Sequence, residues 1–187
     1  MTRHLRSSLY RDLESLPASL RGEIIHGQLR VQPQPRGQHI LASSSGSAEL
    51  HHAYQKGRGA QWWILCQPEV HFLADEAVLV PDIAGWKKTR LPCMQGGASF
   101  TVPPDWICEV LSPTTESVDR LEKLPIYAHY GVRDLWLINP AARSVETYHL
   151  DHGHWQKGGE YYDKDVVAAA PFTELCISAS TLMGQPF

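Results

Sequence analysis

Residues 103–115, PPDWICEVLSPTT, contain an apolar run at 106–111 that a single carboxylate, Glu109, interrupts. A short apolar run with prolines before it and Ser-Pro-Thr-Thr after it is typical of a buried β-strand whose following loop caps a helix. Strand alternation places Ile107, Glu109 and Leu111 on one face of that strand. Burying a lone carboxylate costs several kcal/mol, so Glu109 must be paired, hydrogen-bonded or bound to a metal.

The flanking segments predict the rest of the domain. Helices are expected at 10–16, 38–56 and 117–130, strands at 61–65, 69–73, 77–84 and 132–138, hairpins at 23–31 and 145–156, and a long loop at 85–104. The 187 residues are enough for one domain with a single sizeable core. This order predicts an α/β domain bordering on α+β, with a central mixed β-sheet flanked by helices.

Composition limits the class of protein. Hydrophobic residues make up 43% and charged residues 20% of the chain, which is the globular range, and the net charge is -3. That charge argues against a protein that coats nucleic acid, although an enzyme with a local basic groove remains compatible with it. The sequence has neither an apolar run of membrane-spanning length nor a Cys-x-x-Cys pair among its four cysteines. We therefore expect a cytoplasmic protein with reduced thiols and no membrane association.

Three acids lie inside hydrophobic runs, namely Glu23, Asp82 and Glu109. If the strands of Asp82 and Glu109 are neighbours, the two carboxylates converge at one end of the sheet. Converging oxygens suit Mg²⁺, with Mn²⁺ as the alternative ion, and such a cation polarises a phosphodiester and acidifies its bound water. A nearby lysine then orients that water and offsets negative charge in the transition state.

Each acid taken alone also has a structural interpretation. It could cap a loop or pair with an arginine such as Arg90 or Arg133, because structural ion pairs occur in protein interiors as well.

The sequence resembles the Uma-type restriction endonuclease family of the PD-(D/E)xK nuclease superfamily. The resemblance covers about residues 15–180 in order. It is carried by GEIIHGQL (22–29), VPDIAGW (80–86), PPDWICEVLSPTT (103–115), LEK (121–123) and YAHYGVRDLWLINPAARSVETY (127–148).

The resemblance implies a restriction-endonuclease-like fold and assigns the site by position. Asp82 matches the motif aspartate, Glu109 the second metal ligand and Glu23 an early glutamate that serves as the third. The usual lysine position is occupied here by Leu111, and the family places the lysine on the following helix, at Lys123.

From the residues alone, Lys123 has two interpretations. It could reach the acids from the helix at 117–130, or it could be a solvated lysine paired with Asp119 four residues earlier. Pro125 is expected to kink that helix, because proline cannot donate the backbone hydrogen bond to residue 121.

Other polar residues are open to similar alternatives. His39 opens the first long helix and could approach the site or a phosphate, but a helix-terminal cap or surface residue is the favoured interpretation. Lys87, Lys88 and Arg90 are candidates for phosphate contacts, with a solvated loop as the equal alternative.

These features predict a magnesium-dependent endonuclease that hydrolyses DNA, with Glu23, Asp82, Glu109 and Lys123 as catalytic residues and a homodimer as one arrangement for cutting both strands. The rival hypothesis is a module that kept the fold, lost turnover and binds nucleic acid or a protein partner. A third is a metal-dependent hydrolase of a small phosphate ester.

Overall fold

The computed structural model describes residues 8–56, 61–94, 96–97 and 99–185. Its helices are α1 (Ser8–Glu14), α2 (Gln38–Leu50), α3 (Glu116–Val118), α4 (Leu124–His129) and α5 (Ala179–Leu182). A π-helical segment, His51–Lys56, continues α2, and a second, Asp119–Lys123, joins α3 to α4. The strands are β1 (Leu20–Ile25), β2 (Gln28–Pro33), β3 (Trp62–Cys66), β4 (Glu69–Leu73), β5 (Ala77–Leu79), β6 (Ile83–Lys87), β7 (Ser99–Phe100), β8 (Trp106–Val110), β9 (Asp134–Asn139), β10 (Ser144–Asp151) and β11 (His154–Tyr162).

The strands form two mixed sheets. The smaller sheet has the order β2-β1-β5-β4-β7 and the larger one the order β11-β10-β9-β8-β6-β3. The β4–β7 and β8–β9 pairs are parallel and the other pairs are antiparallel. The expected α+β character with a mixed sheet and flanking helices is confirmed, and the division into two sheets was not predicted.

The predicted single strand at 77–84 is wrong, and the division of the sheet explains why. β5 pairs with β1 and β4 in the smaller sheet, whereas β6 pairs with β3 and β8 in the larger one. Pro81 lies between the two strands and has no N–H to donate to a ladder. Asp82 therefore lies directly before β6, where the chain crosses from one sheet to the other.

The hairpin predicted around His26-Gly27 is confirmed. β1 and β2 pair in register from Ile25 opposite Gln28, and the two turn residues have φ values of 51 and 69. Positive φ at both central residues is the signature of a type I′ turn, whose twist matches that of the strands.

The helix predicted at 117–130 is present, and a π-helical segment interrupts its α-helical hydrogen bonding. Within the π-helical segment the N–H of Leu124 donates to the carbonyl of Asp119, five residues back, and Pro125 follows at the start of α4. At that position a missing N–H costs little, because the first turn of an α-helix leaves its donors unpaired anyway.

The larger sheet separates two hydrophobic cores. Trp106, Cys108 and Val110 of β8 pack in one core, and Ile107 and Leu111 pack in the other, as strand alternation predicts.

Two further expectations concern the cysteines and the loop at 85–104. All four cysteines are free in the structure. The loop was placed too early, because β6 continues to Lys87 and β7 forms inside the loop.

Among the described residues, no helix is both long enough and apolar enough to cross a bilayer.

Candidate active site

The carboxylates of Asp82 and Glu109 meet where β6 and β8 pair. The N–H of Val110 donates to Asp82 Oδ2 at 2.9 Å, and the N–H of Asp82 is 3.3 Å from Glu109 Oε2. Both side chains are almost completely buried. The strands of Asp82 and Glu109 are therefore neighbours, and the two carboxylates converge as expected.

Glu23 reaches the same place from the smaller sheet. β1 directs Glu23 and Arg21, two residues apart, to one buried face. Glu23 Oε1 accepts the N–H of Val80 at 2.7 Å, and its Oε2 lies 3.1 Å from the Nζ of Lys123.

Lys123 is buried among three acids, with 2% of its surface exposed. Its Nζ lies 3.1 Å from Glu23, 3.3 Å from Glu109 and 3.1 Å from Asp119. The i,i+4 pair with Asp119 and the contact with the site acids thus occur together, so the two interpretations of this lysine are not exclusive.

Two basic side chains contact Asp82, and sequence reasoning missed one of them, Arg21. Arg21 Nη1 is 3.0 Å from Asp82 Oδ1, and His39 Nε2 is 3.1 Å from Asp82 Oδ2. For His39 the favoured interpretation as a cap or surface residue is wrong, and the alternative that it approaches the site agrees with the structure, because its side chain is only 12% exposed and turns onto Asp82. The position of Arg21, two residues before Glu23 on the same strand face, was the available signal.

Sequence reasoning also missed Tyr127, and it named Asp119 only as the helix partner of Lys123. The hydroxyl of Tyr127 donates to Glu109 Oε1. Asp119, Lys123 and Tyr127 are spaced four residues apart, so they recur on one side of the interrupted helix. That spacing could have placed all three beside Glu109.

Negative charge is in excess here, because four carboxylates face the permanent cations Arg21 and Lys123. Burial raises the pKa of Glu109 to about 8; Lys123 lowers it, while Asp119, Asp82 and Glu23 raise it further. Glu109 therefore holds a proton more tightly than an ordinary carboxyl group.

Asp82 and Lys123 stay ionised because oppositely charged neighbours outweigh the effect of burial on their pKa values. Burial alone would raise the pKa of Asp82, but the hydrogen bond from His39 and the charge of Arg21 hold it below its usual range. Burial alone would lower the pKa of Lys123, but Glu109, Glu23 and Asp119 raise it. The ammonium of Lys123 is therefore a fixed positive charge.

An open cleft of about 490 Å³ gives access to the cluster. Arg21, His39, Asp82, Asp119 and Lys123 line it, together with residues 31–36 and the Ser-Pro-Thr-Thr loop. Glu23 and Glu109 lie behind these side chains.

The basic residues expected to contact phosphate lie elsewhere. Lys87 is at the far end of β6 from Asp82, about 16 Å away along a strand. Lys87 and Lys88 lie over the rings of Trp62 and Trp63, at 5.5 and 4.4 Å from the centroids. These lysines therefore lie on tryptophan rings, away from the acids, at the other end of β6.

The oxygen donors fit a cation that needs few protein ligands. Among the described residues, no group of three or more His, Cys, Asp or Glu side chains is arranged as a complete metal site. Mg²⁺ is usually held by one or two carboxylates, with water and substrate oxygens completing its coordination. Among the described residues, Asp82 Oδ1 accepts a hydrogen bond from Arg21 and Glu109 Oε2 accepts a weak one from the N–H of Asp82, so each oxygen has remaining capacity for a cation.

Comparison with known proteins identifies chains of similar sequence and fold. No curated protein matches the chain. A solved structure described as "a putative nuclease belonging to DUF820 from Anabaena variabilis" matches with a TM-score of 0.75 and 22% sequence identity, covering 95% of this chain and 97% of that one. The fold is accordingly restriction-endonuclease-like, as expected. The model of the Uma2 family, described as "Putative restriction endonuclease", matches residues 8–179, and the chain belongs to that family.

Proposed function

We propose that this protein is a metal-dependent endonuclease that hydrolyses phosphodiester bonds in DNA. The observation that carries the proposal is a cluster of buried side chains at an open cleft, where Asp82 and Glu109 meet and Lys123 contacts both Glu23 and Glu109. Membership of a restriction endonuclease family supports it.

In this proposal Asp82 and Glu109 hold Mg²⁺ or Mn²⁺, and Glu23 supports the ion directly or through water. A bound cation supplies polarisation of the phosphodiester and a water of lowered pKa. Glu23 also holds Lys123, because one of its oxygens lies 3.1 Å from the lysine Nζ.

The charge state of Lys123 defines its role. Its raised pKa keeps it protonated, so it cannot serve as the base that deprotonates water. It can orient the water and stabilise the negative charge that develops on the phosphoryl oxygens.

Isosteric substitution of Asp82 tests the assignment. The purified chain should nick supercoiled plasmid DNA in Mg²⁺ or Mn²⁺, and Asp82→Asn should reduce the rate by about 100-fold or more, as expected when a group that acts on transition-state charge is lost. Lys157→Gln, on exposed β11, should cut at the wild-type rate. A matched RNA substrate decides between the two nucleic acids.

Circular dichroism must first show that Asp82→Asn is folded. Equal nicking by wild type and a folded Asp82→Asn variant would contradict the proposal. A wild type that binds DNA in Mg²⁺ and Mn²⁺ without cutting it would favour the binding-module hypothesis instead.

A further inference from the structure

Arg21 has an unused hydrogen-bonding edge. The residue is 8% exposed, and its Nη1 bonds Asp82 Oδ1 at 3.0 Å. Its Nε and Nη2 are buried and have no hydrogen-bond partner among the residues that the structure describes. Buried donors without partners are uncommon in native proteins, and each one calls for an explanation.

The two unpartnered nitrogens are neighbours on the guanidinium group. With Nη1 engaged by Asp82, Nε and Nη2 form the side-on edge, which presents two parallel N–H groups. That spacing matches two oxygens of a phosphate, the bidentate pairing for which arginine is used where lysine is not.

The surroundings of Arg21 favour an anion from outside the protein. Arg21 lines the cleft, so a ligand in the cleft lies beside it. Arg36 also lines the cleft, and so do the hydroxyl-bearing residues Ser112 and Thr115. His39, the other side chain on Asp82, also has a buried nitrogen, Nδ1, without a partner among the described residues.

We propose that the Nε/Nη2 edge of Arg21 binds an internal phosphodiester of the nucleic-acid strand through its two non-bridging oxygens. The inference rests on the proposed function and extends it to a residue outside the four-residue motif. The ion pair with Asp82 fixes the guanidinium plane, so the phosphate is held one side chain away from the carboxylate that is proposed to bind the cation. Arg21 is then a substrate-binding residue, distinct in role from Lys123.

Binding can be measured apart from cleavage. The probe is a fluorescent DNA duplex without terminal phosphates, titrated by anisotropy in EDTA and separately in Ca²⁺. Arg21→Lys keeps the positive charge but loses the paired Nε–H and Nη2–H donors. It should therefore weaken DNA binding by about tenfold or more. Arg30→Lys is the matched control on the adjacent strand, where Arg30 is half-exposed and paired with Glu122, and it should bind like wild type.

A second measurement needs no variant. In the wild-type chain, the arginine Nε–H resonances are followed by NMR while inorganic phosphate is added. One resonance should shift and become protected from exchange, because the buried Nε–H gains an acceptor. No change in any of these resonances at saturating phosphate would overturn the proposal.

Two results of the anisotropy titration would also overturn it. One is binding by Arg21→Lys within twofold of wild type in both conditions. The other is dependence on Arg21 that appears only when the duplex carries a terminal phosphate. The two proposals can fail separately. If the wild-type protein does not cut DNA but Arg21→Lys still binds DNA more weakly than the wild type, the phosphate site is supported and the nuclease proposal is contradicted.

Discussion

At the scale of single residues, Glu109 has the most constrained environment in the site. Its Oε1 accepts from Lys123 and Tyr127, and its Oε2 faces the N–H of Asp82. Burial raises its pKa from 4.5 to about 8, with Lys123 opposing the rise. Because the folded state binds this proton more tightly than the unfolded chain, folding takes up a proton between those two values.

This proton linkage predicts a pH dependence of stability. In EDTA, the free energy of unfolding should fall as the pH rises from about 5 to about 8, by an amount on the order of a few kcal/mol, because stabilisation from the bound proton is lost as pH passes the folded pKa. Glu109→Gln should flatten this slope. Urea denaturation at a series of pH values measures both.

The matched control is Glu160→Gln. Glu160 is exposed, and its hydrogen bond from Lys157 lowers its pKa, so its titration lies below this window and the variant should keep the wild-type slope. Identical slopes for wild type and Glu109→Gln would show that Glu109 does not carry the proton.

At the scale of elements, the β1–β2 hairpin positions two members of the site. β1 carries Arg21 and Glu23 on its buried face, and the turn at His26-Gly27 sets its register with β2. Both turn residues have positive φ, and a Cβ on Gly27 would meet only the carbonyl of Asp75, at 3.8 Å. A side chain at Gly27 would therefore meet almost no steric obstacle, so a substitution there measures mainly the cost of the positive φ.

Gly27→Ala should therefore destabilise the protein by about 1 kcal/mol, since a Cβ in the left-handed region costs roughly that much. His26→Asn should stabilise it by a few tenths of a kcal/mol, because Asn-Gly suits a type I′ turn. Gly96→Ala is the control, with open space and no positive φ. A loss at Gly27 no greater than at Gly96, in urea denaturation, would contradict this account of the turn.

At the scale of the whole molecule, the site is the junction of both sheets and the interrupted helix. Glu23 comes from the smaller sheet, Glu109 from the larger one, and Asp119 and Lys123 from the π-helical segment. The ammonium of Lys123 contacts all three acids. The same lysine thus serves the fold and, in our proposal, the chemistry.

Removing that charge should destabilise the whole domain. Lys123→Met keeps the length of the side chain but leaves buried acids without their cation, a change that costs about 3–5 kcal/mol when one partner of a buried pair is removed. Lys157→Met, at a half-exposed ion pair, should cost less than about 1 kcal/mol. Equal losses for the two variants in urea denaturation would refute this structural role.

Because of that cost, activity lost in a Lys123 variant is informative only when the variant is shown to be folded.

Local pattern was enough to predict much of this protein. The alternation of β8, the His26-Gly27 turn and the helix that follows Ser-Pro-Thr-Thr depend on residues a few positions apart, so the sequence determined them. The burial of three acids in apolar runs indicated the site, and family resemblance located Lys123.

Only the tertiary structure decided which side chains meet those acids. Arg21 and Asp82 are 61 residues apart, and their contact requires β1 and β6, in different sheets, to lie beside one another. Strand pairing of this kind is non-local and leaves no periodic signal in the sequence, which is why the contact of Arg21 with Asp82 and the division of the sheet at Pro81 were not predicted. The sequence by itself indicated the acids, the family resemblance indicated the lysine, and the packing of two sheets determined which basic side chains contact Asp82.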